Sequence, residues 1–194
     1  VGELLLILIG TGLVSNLVLD YMLGTDPVVA LSRKPEPAFN LCILMIIVMP
    51  IVALIANILN FHVLIPQDLL YLQLFVLVLV STAIVISIGN LTRRFRPELS
   101  ARTRVFIPLL IVNCTVLGVA LLGIKVNLGL TGAFFFGLGS ALGFSLVVLA
   151  VSAINERVAV ADVPTPVKGI AILMITLGLL SMAFMGFDGI GKPG

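Results

Sequence analysis

Charge is scarce in this sequence. Its 194 residues include only 11 Lys and Arg and 9 Asp and Glu, against 60% apolar residues and a mean hydropathy of +1.29. Soluble domains average about 45–50% apolar and about 25% charged residues, so a water-soluble globular fold is excluded. Disorder is excluded as well, because disordered chains are poor in apolar residues and rich in charge. Cysteine is also rare: Cys42 and Cys114 both lie inside apolar runs. A disulfide framework is therefore not expected, and each thiol is either a small core residue or a ligand. The net charge of +2 is too small to point to nucleic acid. The sequence contains no nucleophile and base pair, no multi-His metal cluster and no phosphate loop. No basic stretch precedes the first apolar run, which is read as a membrane span and not as a secretory signal.

What the sequence has in abundance is long apolar runs. Six are free of Asp, Glu, Lys and Arg: Leu4 to Leu19, Pro37 to Gln67, Leu69 to Thr92, Val105 to Ile124, Val126 to Asn155 and Gly169 to Phe187. A helix needs about 20 residues to cross about 30 Å of hydrocarbon. Barrel strands alternate apolar and polar residues, and these runs do not. The expected fold is thus an all-α integral membrane protein of six transmembrane helices, forming a single domain over residues 1–194. Lys and Arg favour cytoplasmic connections. The first, third and fifth connections hold Arg33 and Lys34, then Arg93, Arg94, Arg96, Arg102 and Arg104, then Arg157 and Lys168, whereas the other side has only Lys125 and Lys192. Both termini are expected outside.

Six helices divide into two sets of three, and an odd number per half makes any internal repeat inverted across the membrane. The halves are expected at about 1–98 and 99–194. At an offset of 98, Val14-Ser15-Asn16-Leu17-Val18-Leu19 lies over Val112-Asn113-Cys114-Thr115-Val116-Leu117, which places polar residues of spans one and four together. Helices 1 and 4 are the ones expected to be interrupted. From Leu4 to Leu31 the first segment would be about 42 Å long as one helix, well over the hydrocarbon thickness, and Gly24 and Pro27 favour a break. Helical rise puts Asp26 roughly 10 Å deep from Arg33, and Cys114 roughly 15 Å deep from Arg104, so the two positions are expected to meet. An intramembrane acid is a functional candidate by default; the alternative is that Asp26 caps a shallow helix end. Asp20 is a weaker ion-pathway candidate. Gly139-Ser140-Ala141-Leu142-Gly143 suits close helix packing. His62 is read as a solvated loop residue, and Pro50 and Pro108 as kinks in spans two and four.

Several blocks carry a family resemblance. Leu23-Gly24 with Pro27 and Ser32-Arg33-Lys34, the stretch Ile107-Pro108-Leu109-Leu110-Ile111-Val112-Asn113-Cys114-Thr115-Val116-Leu117-Gly118, Glu156-Arg157-Val158-Ala159-Val160-Ala161-Asp162-Val163-Pro164, and the ending Ser181-Met182-Ala183-Phe184-Met185-Gly186-Phe187 together resemble the RnfA/NqrE membrane subunits, the RnfA branch more than the NqrE branch. The likeness runs through nearly the whole chain. It implies a subunit of a bacterial inner-membrane respiratory complex that couples electron transfer among NADH, ferredoxin or quinone to Na⁺ or H⁺ translocation. It also implies six helices as inverted repeats, both termini periplasmic, and a homologous sister, RnfE or NqrD, among other membrane and peripheral subunits. Each sister of such a pair gives two cysteines to an iron-sulfur cluster of the 2Fe–2S type in mid-membrane, and Cys114 matches one of them. The other family cysteine, between Leu-Gly and Pro, is Asp26 here. Thiolate is the usual ligand and carboxylate a harder oxygen donor, so an altered, labile or absent cluster is the expectation. Cys42 lies where the family has no ligand and is read as core. The connections are too short for an NADH or flavin domain, so no complete active site is expected in this chain. A channel or secondary transporter subunit using Asp20 and Asp26 without a redox role is the alternative reading, and a divergent scaffold subunit is a third.

Overall fold

Backbone in hydrocarbon must satisfy its own N–H and C=O groups, and apolar runs without a period of two do so as helices. The computed structural model describes residues 2–14, 16–31, 35–95, 107–111, 113–161 and 169–186, and every regular element among them is helical. Ser15, Ser32, Arg33, Lys34, Arg96, Arg102, Arg104, Val112, Asp162, Val163, Pro164, Lys168, Phe187 and Lys192 lie outside the described residues, as does the side chain of Asp26. Helix α1 (Gly2–Ile9) widens into a π-type turn over Gly10–Val14; α2 (Leu17–Tyr21) and α3 (Thr25–Leu31) are short. Helix α4 (Pro35–Leu59) ends in a second π-type turn over Asn60–Leu64, and a 3-10 turn (Leu70–Leu72) leads into α5 (Gln73–Phe95). Then follow α6 (Ile107–Ile111), α7 (Cys114–Val126), α8 (Gly129–Val160) and α9 (Ile170–Met185).

Four helical stretches are long and apolar enough to cross a membrane: Pro37–Leu64, Leu70–Arg94, Ile107–Val126 and Gly129–Val160. Helix α9 is apolar but shorter. The chain is therefore a multi-pass membrane protein. Spans two to five fall where the charge-free runs put them. The first segment is three short helical pieces in place of one long helix. His62 is exposed, as expected, but lies in the π-type turn, with Nδ1 3.2 Å from the Ile58 carbonyl, and not in a loop.

The core is the contact between α4 and α8. In α4 the buried residues Leu41, Met45, Val48, Met49, Val52 and Ala56 recur three or four apart and so form one stripe. They meet Ala141, Phe144, Val147, Val148 and Val151 of α8 in one cluster. The helices run antiparallel: the Cys42 thiol donates to the Ser145 carbonyl at 3.7 Å, while Gly137, nearer the start of α8, lies against Met49, Pro50 and Ala53. Pro50 sits inside α4 without ending it. A Cβ on Gly137 would come 2.8 Å from the Pro50 Cα, so only glycine permits this approach. The step Gly139–Gly143 does the same for α1: Gly139 lies against Leu8 and Thr11, and a Cβ on Gly143 would stand 2.5 Å from the Gly12 carbonyl oxygen. The expectation of close helix packing at these two glycines holds.

Candidate functional site

The first apolar segment and the stretch Ile107–Val126 are both interrupted, each at an asparagine. Asn16 has φ −74° and ψ 118°, and Asn113 has φ −75° and ψ 116°, extended values between helical pieces. Each side chain caps the helix that follows: Asn16 Oδ1 accepts from Val18 N–H at 3.1 Å, and Asn113 Oδ1 from Thr115 N–H at 2.9 Å. This is ordinary N-capping, which asparagine does as well as aspartate or serine. The two breaks superpose at an offset of 97, not 98; the apolar matches at 98 arise from the abundance of valine and leucine. The first segment is broken twice, at Asn16 and again over Met22–Gly24, close to the expected place. Pro27 is the third residue of α3, in the first turn where a missing N–H costs nothing, and so starts a helix instead of ending one. Pro108 lies within α6, and the interruption of the stretch Ile107–Val126 belongs to Asn113.

Gly24 does mark a break, but as a turn. Helix α2 stops at Met22 in the left-handed region (φ 54°), the Leu23 N–H closes back on the Leu17 carbonyl at 3.2 Å, and Gly24 follows at φ 78°. This turn is pressed onto the first turn of α7. Leu23 occupies the space beside Gly118, where a Cβ would come 2.6 Å from Leu23 Cδ1. A Cβ on Gly24 would collide with Thr115 Oγ1 and stand 2.9 Å from the Phe144 ring. With that space free, the Gly24 N–H donates to Cys114 Sγ at 3.1 Å. Two motifs ninety residues apart in sequence, Leu23-Gly24 and Asn113-Cys114-Thr115 with Gly118, thus form one site.

Cys114 is exposed, although it follows a buried asparagine and precedes a fully buried threonine. It is the first residue of α7, where the positive ends of the amide dipoles favour negative charge. Asn113 Nδ2 and Thr115 Oγ1, on either side of it, are buried and have no hydrogen-bond partner. Asp26 lies in the first turn of α3, two residues beyond Gly24. Asp20 is exposed on α2. Cys42 is buried in the α4–α8 core, away from solvent, as a structural residue should be. No group of three or more His, Cys, Asp and Glu occurs among the described residues, so this site offers one exposed thiol and no complete metal centre. The roles of Gly24, Thr115 and Gly118 escape a reading of the sequence alone; small residues in the two motif blocks are the available signal.

Residues 4–191 match the family described as "Rnf-Nqr subunit, membrane protein". Among similar proteins, the A subunit of the ion-translocating oxidoreductase complex of Shewanella pealeana is 42% identical over 191 residues, covering 98% of this chain and all of that one. The proteins of the same name from Pseudoalteromonas translucida and Citrobacter koseri are 42% and 41% identical over 190 residues, covering 98% of each chain.

Proposed function

This chain belongs to the Rnf-Nqr family of membrane subunits, and from that premise we propose that it is the membrane-embedded subunit of an Rnf-type, ion-translocating oxidoreductase complex. Its part in the complex is to hold half of an intramembrane redox centre and to couple electron transfer between ferredoxin or NADH, or quinone, to movement of Na⁺ or H⁺. The observation that carries this reading is Cys114: an exposed thiol inside an apolar span, held by a backbone N–H, with a second motif folded onto it. Lipid has no use for an exposed thiol beside a broken helix, and interrupted backbone at depth is tolerated only where protein or a cavity covers it.

An iron-sulfur cluster fits these residues in part. A thiolate is its usual ligand, and N–H donors to sulfur are among the features that set its potential. Cys114 would be one ligand and Asp26 the residue at the other family position, with the remaining ligands from a homologous sister subunit of RnfE or NqrD type. Such a cluster supplies a one-electron relay across the apolar layer. The chain's own contribution is to present the sulfur on a capped helix end, to donate a hydrogen bond to it, and to keep water out with Leu23, Phe144 and the α4–α8 core.

Two further parts of the proposal concern architecture. The matching conformations of Asn16 and Asn113 support six spans arranged as two inverted three-helix repeats. The basic residues Arg93 and Arg94 at the end of α5 and Arg157 near the end of α8, against Lys125 on the other side, support an inner-membrane orientation with both termini periplasmic.

The test is iron content and EPR of the purified complex with and without Cys114→Ala. Loss of an intramembrane iron signal and of electron transfer, with the complex still assembled, is expected. Unchanged iron and electron transfer in the variant would reduce Cys114 to a packing residue and favour a transporter subunit without a redox role.

A further inference from the structure

Resting on the redox reading of Cys114, we propose that the Gly24 N–H is the positioning donor that sets the reduction potential of the centre at this cysteine. The Met22–Gly24 turn is built to deliver that N–H. Two left-handed residues, Met22 and Gly24, turn the chain back on α7, and the only side chain compatible with the Thr115 and Phe144 contacts at position 24 is a hydrogen atom. The result is a 3.1 Å N–H to sulfur contact between segments far apart in sequence.

The residues on either side of Cys114 add a second observation. Of the five buried polar side-chain atoms without a partner among the described residues, two belong to the residues flanking Cys114: Asn113 Nδ2 and Thr115 Oγ1. Asn113 is 7% exposed and Thr115 0%. Buried donors left unpaired are uncommon, and each asks for an explanation. The contrast with Asn16 sharpens the point, because there the equivalent amide donates to the Gly12 carbonyl at 3.1 Å and nothing is left over. Thr115 Oγ1 faces Gly24 itself. An N–H donated to the sulfur stabilises the more negative, reduced form of a sulfur-ligated centre and raises its potential. Gly24 acts through Cys114 and is not itself a ligand.

Two measurements on the intact complex test this. In the first, the native complex is labelled with ¹⁵N-glycine and the EPR signal that depends on Cys114 is examined by electron spin-echo envelope modulation. A ¹⁵N coupling is expected, and it should vanish in Gly24→Ala, where position 24 carries no label. In the second, redox titration of Gly24→Ala should show a lowered midpoint. The expected shift is about tenfold in the oxidised-to-reduced ratio, about 59 mV for one electron. Gly129→Ala serves as the control for strain, since Gly129 also has positive φ (68°) but open space around it and no contact with the sulfur; its midpoint should stay at the native value. A signal that depends on Cys114 yet shows no glycine ¹⁵N coupling overturns the donor role and leaves the redox reading intact. Alanine keeps a backbone N–H, so an unchanged midpoint in Gly24→Ala does the same when its ¹⁵N-alanine-labelled form shows no coupling and the N–H has thus left the sulfur. If Gly24→Ala fails to assemble, the labelled native complex still decides. A signal indifferent to Cys114→Ala overturns the redox reading, and the donor role with it.

Discussion

Asn16 and Asn113 adopt the same backbone conformation and cap the following helix in the same way, yet only Asn16 uses its amide nitrogen, which donates to the Gly12 carbonyl. The two halves of the chain thus share a device for breaking a membrane helix and differ in what the break is for. Around Asn16 the break is sealed by α8, whose Gly143 lies on Gly12. Around Asn113 it opens onto an exposed thiol.

Asn16→Ser is expected to destabilise the protein more than Asn113→Ser. Serine keeps the capping oxygen at both sites. Only at position 16 does it remove a buried hydrogen bond, worth about 0.5–1.5 kcal/mol. Thermal unfolding of both variants in the same detergent checks this, and equal losses would mean that the Asn16 amide bond contributes nothing.

Gly143→Ala should be clearly destabilising, by about 1–3 kcal/mol, the usual cost of overpacking. The new Cβ would meet the Gly12 carbonyl oxygen at 2.5 Å and Asn16 Nδ2 at 3.0 Å, and the first of these is backbone that cannot swing aside. Gly178→Ala is the matched control: it lies within α9 with nothing within 4 Å of its Cβ, and replacing glycine in a helix interior gains up to about 1 kcal/mol. A neutral Gly143→Ala would show that α1 and α8 are not held as closely as the structure has them.

Much of this is legible in the sequence because it follows from hydrophobicity and helix length. Spans two to five need only charge-free runs, and the small step Gly139–Gly143 needs only the rule that backbones approach where side chains are small. The site is legible as two motifs but not as one place, since nothing in a linear pattern says that Leu23 sits beside Gly118 or that Gly24 faces Thr115. The break expected near Gly24 is there, but the additional one at Asn16 is not legible, and Pro27 starts α3 because it is a breaker inside a helix and a normal residue in its first turn, and sequence does not say which turn it occupies. The internal match is one residue out for a similar reason. In an apolar chain, valine and leucine align at many offsets, while the capping asparagine, which carries the geometry, aligns at one.

Reporter fusions should locate the Arg-rich third connection in the cytoplasm and the C-terminus outside. Five basic residues fall in the stretch from Arg93 to Arg104, and the bias of Lys and Arg toward cytoplasmic connections outweighs Lys125 and Lys192 opposite. A fusion at Glu98 active only in the cytoplasm, with one at Gly194 active only in the periplasm, is the expected pair. A cytoplasmic signal at Gly194 would reverse the orientation.

If Cys114 serves the proposed redox centre, Asp26→Cys should make that centre more robust. Position 26 lies in the first turn of α3, two residues after the Gly24 whose N–H reaches Cys114, and it is where the family resemblance implies a second cysteine. Thiolate is softer than carboxylate and is the common iron-sulfur ligand. The variant complex is therefore expected to keep its iron longer against a chelator than the native complex, and to give a shifted EPR midpoint. Cys114→Ala in the same background separates ligand exchange from a newly made site: if the introduced thiol and Cys114 act together, removing Cys114 should cancel the gain in iron retention. If Asp26→Cys changes neither iron retention nor midpoint while Cys114→Ala still abolishes the signal, the second ligand of this chain is not at position 26 and the centre depends on Cys114 alone from this side.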